Sequence, residues 1–179
     1  CCTELRRCKS CELVYSIDIP TNDELNKYYS NGLYYDKVSN PFHQDILDFS
    51  KNLSLVRLSL IEKKTDILNK KCKTIDIGAG NASFGTALKI KNNEATYVAI
   101  EPDAKVRGNY GEWVDWQYSN IAEIEDDHYD LVVMNQVLEH VSNPVEFLQS
   151  ICKLLKVQGY LYIDVPYKDY LFKPSVEPH

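Results

Sequence analysis

Apolar residues fall into two textures along the chain. Before residue 74 they recur at helical steps: Phe42, Ile46, Phe49, Leu53, Val56 and Leu60 follow one another at intervals of four and three, predicting a long helix with one apolar stripe. Asn40-Pro41 offers that helix a cap and a first-turn proline. Upstream, Thr21 with Glu24 three places on forms a capping box, which opens a short helix through Tyr28 and Tyr29. From residue 74 the pattern changes to short, almost unbroken apolar runs: TIDIG, TYVAIE at 96–101, WVDWQY at 113–118, YDLVVMN at 129–135 and GYLYIDV at 159–165. Runs rich in Val, Ile and Tyr suit strands buried on both faces. Between the last two, Asn143-Pro144 starts a helix lined by Val145, Leu148, Ile151, Cys152 and Leu155, which Gly159 is predicted to close.

Strand and helix alternating in this way predict an α/β fold with a doubly wound, mostly parallel sheet. Three regions follow: a Cys-rich segment over 1–20, a helical lid or linker over 21–72, and a ligand-binding domain over 73–179. The chain begins with Cys1 rather than Met and stops at His179 soon after a strand-like run, so both ends are expected to be cut.

Composition narrows the classes of partner. Of 179 residues, 44% are apolar and 26% charged, as in a soluble globular protein. A net charge of −6 and the lack of any long Lys/Arg run give no attraction to phosphate backbones, so no nucleic-acid partner is expected. No apolar stretch approaches the ~20 residues that cross a bilayer, and no secretory leader opens the chain. A cytoplasmic protein with a small-molecule partner and no membrane partner is the expectation. Thirteen tyrosines, some paired as Tyr28-Tyr29 and Tyr34-Tyr35, can line such a site or serve as ordinary packing.

The chemistry concentrates in TIDIGAGNASFG, residues 74–85, which holds three of only seven glycines. In a doubly wound sheet the ligand sits where the first strand turns into its helix, and Gly78 and Gly80 fall at that turn. Glycine there permits positive φ and bares the backbone. A GxG alone is weak, since a nicotinamide fingerprint looks similar. That fingerprint wants glycine at position 83, where Ser83 stands, and needs no acid like Asp76 two places before the first glycine. A second acid, Glu101, ends the next strand 23 residues after Gly78, near the ~20-residue offset of a carboxylate that accepts from a ribose diol. A nucleoside carrying an ammonium or sulfonium fits both acids.

DIGAGNA, AIEPD, YDLVVMNQVLEHVSNP and LLKVQGYLYIDVP together resemble the successive motifs of class I S-adenosylmethionine-dependent methyltransferases, over residues 40–166. The resemblance implies a Rossmann-like domain binding S-adenosylmethionine, here lacking its last two strands. It implies that Asp76, Gly78 and Gly80 surround the methionine moiety and that Glu101 holds the ribose hydroxyls. Asn120 and Ile121 would lie against adenine, Asn135 would present its backbone toward the methionine amino group, and Tyr35, with Tyr34, would lie over the cofactor as a lid. Ala82 stands where many members have a third glycine. Two other readings remain open: a catalytically silent cofactor-binding or scaffold protein with this fold, and an NAD-dependent oxidoreductase.

Four of six cysteines fall in CCTELRRCKSC. Cys8 and Cys11 form a CxxC that can share one metal, and Cys1 and Cys2 could supply the further ligands of a tetrahedral zinc; reduced surface thiols and, third, a disulfide are the alternatives. Cys72 and Cys152, in apolar surroundings, are expected in the core. RRCKSCELVYS resembles the second knuckle of the zinc-binding module of sugar C-methyltransferases, which implies a sugar or nucleotide-sugar acceptor. His140, in LEHV, is a candidate base whose place also suits a structural role. His179 stands where that family places its histidine base, with Pro178 replacing the preceding acid.

Overall fold

The computed structural model describes residues 5–12, 14–37, 40–125 and 128–166. The chain opens with an antiparallel hairpin of β1 (Leu5–Arg7) and β2 (Val14–Ser16), with Cys8 and Cys11 in its turn. Helix α1 (Asn22–Ser30) starts at the expected capping box: Thr21 accepts from the Glu24 N–H, and the Glu24 carboxylate accepts from the Thr21 N–H at 2.8 Å. A short α2 (Leu33–Lys37) leads to the long α3 (Gln44–Glu62).

Helix α3 departs from expectation in two ways. It begins after His43 rather than at Pro41, because Asn40 is used in a turn, its Oδ1 accepting from the Phe42 N–H at 2.9 Å. Its buried face also differs: Leu58, Ile61 and Ser54 are buried, whereas Phe49, Val56 and Leu60 of the predicted stripe are 69%, 57% and 47% exposed. Ser54 tolerates burial because its hydroxyl donates to the Ser50 carbonyl at 2.7 Å.

Five parallel strands form the sheet, in the order β5-β4-β3-β6-β7: β3 (Lys73–Ile77), β4 (Thr96–Ile100), β5 (Trp116–Tyr118), β6 (Tyr129–Asn135) and β7 (Leu155–Asp164). The order grows outward from β3 through β4 to β5, then returns to β6 on the other side of β3. That reversal opens a crevice at the carboxyl ends of β3 and its neighbours. Connecting helices are α4 (Ser83–Lys91), α5 (Ala104–Arg107) and α6 (Pro144–Leu154). Helices α3 and α4 cover one sheet face, where Leu58, Phe84, Ala87 and Leu88 meet Tyr97, Ala99, Leu131 and Val133. On the other face Ile151 and Leu154 of α6 meet Ile75, Val98, Ile100, Val132 and Met134.

Three further expectations are corrected. The strand read over 113–118 is confined to Trp116–Tyr118, because Trp113 and Val114 lie in a turn in which the Val114 N–H donates to the Gly111 carbonyl. Gly159 does not close α6; the helix ends at Leu154 and the chain passes directly into β7. There Gly159 sits in a bulge, Tyr129 pairing Leu155 while Leu131 pairs Tyr160, and a Cβ on it would stand 3.0 Å from the Tyr129 carbonyl oxygen. Cys152, expected in the core, is exposed, since α6 turns Ile151 and Leu154 inward instead; Cys72 is buried as expected. No helix among the described residues is long and apolar enough to cross a membrane.

Candidate cofactor site

The turn after β3 runs through three left-handed residues, Gly78 (φ 68), Gly80 (φ 54) and Ala82 (φ 54), before α4 begins. It is pinned to the end of β4: the Ala79 N–H donates to the Ile100 carbonyl at 2.9 Å, and the Gly80 N–H donates to Glu101 Oε2 at 3.0 Å. Glu101 Oε1 accepts from the Asp103 N–H at 3.0 Å. Glu101 is only 4% exposed. Burial pushes its carboxyl up to about 7, opposed by those two N–H donors. The Tyr110 hydroxyl donates to the Gly80 carbonyl at 2.8 Å, so the turn is held from both sides.

Asp76 lies deeper, 2% exposed, on the sheet face covered by α4. The Tyr97 hydroxyl donates to its Oδ2 at 2.7 Å. Burial pushes Asp76 up to about 7, against the Tyr97 donor and the charge of Arg57. Its Oδ1 is buried without a hydrogen-bond partner, and so is Asn135 Oδ1 at the end of β6. Ile77 of β3 pairs Met134 of β6, which sets these two orphaned acceptors on adjacent strand ends. Buried acceptors without donors are costly, and a cationic group with several N–H donors would satisfy them. The residues therefore fit the methionine ammonium at this end and a ribose diol at Glu101.

The amino-terminal helices lie across the carboxyl ends of the strands. Ser142 donates to Asn22 Oδ1 at 2.5 Å, Asn81 donates to the Pro41 carbonyl at 2.9 Å, and the Tyr29 ring meets His140 edge-on at 5.9 Å between centroids. Tyr28, Tyr29, Tyr34 and Tyr35 form a chain of edge-on and tilted ring contacts at 4.9–6.2 Å between centroids. Burial pushes Tyr29 up to about 12. Tyr35 lies against the glycine turn: a Cβ on Gly80 would stand 3.4 Å from its hydroxyl, and burial beside the Glu101 charge pushes that hydroxyl strongly upward. Beside it, a shallow cleft opens between Gly32, Tyr35 and Pro41 on one side and Asp103, Lys105 and Asn109 on the other.

Of the expected site residues, Asp76, Gly78, Gly80, Glu101, Asn135 and Tyr35 converge on this crevice. Asn120 and Ile121 lie beyond the carboxyl end of β5, where Asn120 Oδ1 accepts from the Ala122 N–H at 2.9 Å and Ile121, half-buried, packs against the core cluster that includes Ile77 and Ile100. His140 stands at the mouth, its side chain 45% exposed. Cys8 and Cys11 are free in the hairpin turn, and no group of three or more ligating side chains occurs among the described residues. Cys1, Cys2 and His179 lie outside the described residues. Tyr97, Tyr110 and the Arg57–Asp164 ion pair at 2.6 Å went unread in the sequence. Strand parity could have found Tyr97, since Thr74 pairs Tyr97 and Asp76 pairs Ala99, placing all four on one face.

Residues 48–176 match the family described as Methyltransferase domain. Among curated relatives, the ubiquinone biosynthesis O-methyltransferase of Marinobacter nauticus is 26% identical over 63% of this chain and 50% of its own length. That of Idiomarina loihiensis is 30% identical over 60% of this chain and 47% of its own. The chain thus spans about half the length of these relatives. Among solved structures, the plantazolicin methyltransferase BpumL, in complex with a monoazolic desmethylPZN analogue and SAH, superposes with a TM-score of 0.57 at 16% identity, over 88% of this chain and 65% of BpumL, a likeness of fold. With the family matching well over half of its residues, this chain belongs to the methyltransferase-domain family.

Proposed function

We propose that the chain binds S-adenosylmethionine at the carboxyl ends of β3 and β4 and transfers its methyl group to a small molecule. One observation carries this reading: two buried carboxylates flank a bare-backbone turn, Glu101 locked to the Gly80 N–H and Asp76 with one oxygen lacking a donor. When bound, the cofactor supplies a sulfonium methyl already activated for transfer. The chain's own task is then to hold that group and exclude water. Glu101 would accept from the ribose hydroxyls, Asp76 and Asn135 would receive the ammonium, and Tyr35 would cover the turn. His140, exposed at the mouth beside Glu139, would be the candidate to take a proton from an acceptor.

Two features bear on the acceptor. The Cys8–Cys11 turn supports a sugar or nucleotide-sugar; the names of the curated relatives favour a hydroxyl oxygen. Zinc is proposed at that turn, where N–H groups of Cys11 and Ser10 favour the Cys8 thiolate. Titration of the purified protein with S-adenosylmethionine and with NAD tests the cofactor reading. Micromolar affinity for the first alone supports it, NAD binding reverses it, and binding of neither leaves a scaffold. Methyl transfer to nucleotide-sugars against transfer to phenolic hydroxyls separates the two acceptors.

A further inference from the structure

Beneath the site, one tyrosine makes a contact that packing alone does not require. The Tyr97 ring is wholly buried and lies in a slot over Gly85 of α4. A Cβ at position 85 would stand 2.3 Å from Cε1 of that ring, so the slot exists because residue 85 is glycine. From it the hydroxyl reaches up the sheet face to Asp76 Oδ2 at 2.7 Å, leaving Oδ1 buried and without a donor. Two oxygens of one carboxylate are therefore in different states. One is fixed by the Tyr97 hydroxyl, and the other is buried with no hydrogen-bond donor.

We propose that Tyr97 is a positioning residue for cofactor capture: lodged in the Gly85 slot, its hydroxyl holds one Asp76 oxygen so that the other meets the ligand's ammonium group. This rests on the S-adenosylmethionine reading above. A carboxylate so held keeps its orientation, and its ionised form is favoured by the donor. The groups facing Asp76 are Tyr97 and Glu101 of the β4 side, Arg57 of α3 and Asn135 of β6. Arg57 is shared with Asp164 at the end of β7 and the Asn135 side chain also favours the ionised carboxylate, while the Tyr97 hydroxyl gives Asp76 its short hydrogen bond, at 2.7 Å.

Tyr97→Phe keeps the ring and deletes the donor. Its test is calorimetric titration from about pH 5 to about pH 9, spanning the carboxylate and imidazole ranges, with two ligands: S-adenosylmethionine, and 5′-methylthioadenosine, which keeps the ribose and adenine but has no ammonium. The expected result is affinity for S-adenosylmethionine roughly tenfold or more lower at neutral pH, as for loss of a hydrogen bond to a charged group, with its rise displaced to higher pH and methylthioadenosine affinity unchanged. Equal loss for both ligands means a structural tyrosine and overturns the proposal, as does an unchanged S-adenosylmethionine profile. If the wild-type protein binds neither ligand, the cofactor reading itself falls and the proposal with it; wild-type binding with an indifferent Tyr97→Phe sinks the proposal alone. Should Tyr97→Phe not fold, Gly85→Ala, which displaces the ring while keeping the hydroxyl on the chain, reads the same selectivity between ligands.

Discussion

At the residue scale the site is a set of unsatisfied or strained positions made stable by their neighbours. Glu101 and Asp76 are both pushed up to about 7 by burial, above the ~4 of an unfolded chain. In the ligand-free protein, folding therefore favours their neutral forms. That contribution is fully present below about pH 4 and is lost as pH rises through about 7. Differential scanning calorimetry of the ligand-free protein should show Asp76→Asn reducing the fall in Tm between about pH 5 and pH 8. Cofactor affinity should have the opposite sign, rising over that interval, because an ammonium is received by the ionised carboxylate. Glu101→Ala should cost roughly 1–3 kcal/mol of cofactor affinity, as two hydroxyl donors lose a charged acceptor. An unchanged affinity removes Glu101 from the site. Gly85→Ala should destabilise the fold by about 1–3 kcal/mol, measured by urea unfolding, since its methyl collides with the buried Tyr97 ring and forces it to shift.

At the element scale, three of the strands and two of the capped helix starts were legible because their signals are local. The Thr21–Glu24 capping box, Asn143 accepting from the Glu146 N–H, and the apolar runs of β3, β4 and β6 all stand where the sequence puts them. The face of α3 was not legible. Residues 46, 49, 53, 56 and 60 recur at helical spacing, but so do 47, 50, 54, 58 and 61, and only the positions of α4 and the sheet decide between them. The decisive clue is polar: Arg57, beside Leu58 on the inner side, reaches Asp164 at the end of β7, an ion pair 107 residues apart in sequence. Leu58→Ala, at a wholly buried site, should cost about 2–5 kcal/mol. Val56→Ala, from the predicted stripe but 57% exposed, should stay within about 0.5 kcal/mol in the same unfolding measurement. Gly159 was misread for a related reason. A glycine after a helix reads as a cap, and only the partner strand reveals that it relieves a bulge against Tyr129.

At the scale of the whole molecule, the reversal of strand order at β3 makes the crevice, and the tyrosine-rich amino-terminal helices lie over it. The acids and glycines of the crevice were legible from spacing; Tyr97 and Tyr110 were not, because a tyrosine inside an apolar run looks like filling until the register shows what its hydroxyl reaches. The Cys8–Cys11 hairpin carries its own prediction: metal analysis should find zinc bound to the protein and lost in Cys8→Ser, and thiols that react freely without metal would count against it. The account turns on what the two carboxylates hold. A crystal structure with S-adenosylhomocysteine should place the ribose hydroxyls on Glu101 and the amino group against Asp76 Oδ1 and Asn135; a ligand seated elsewhere, or one whose diol and amino group avoid both acids, would contradict it.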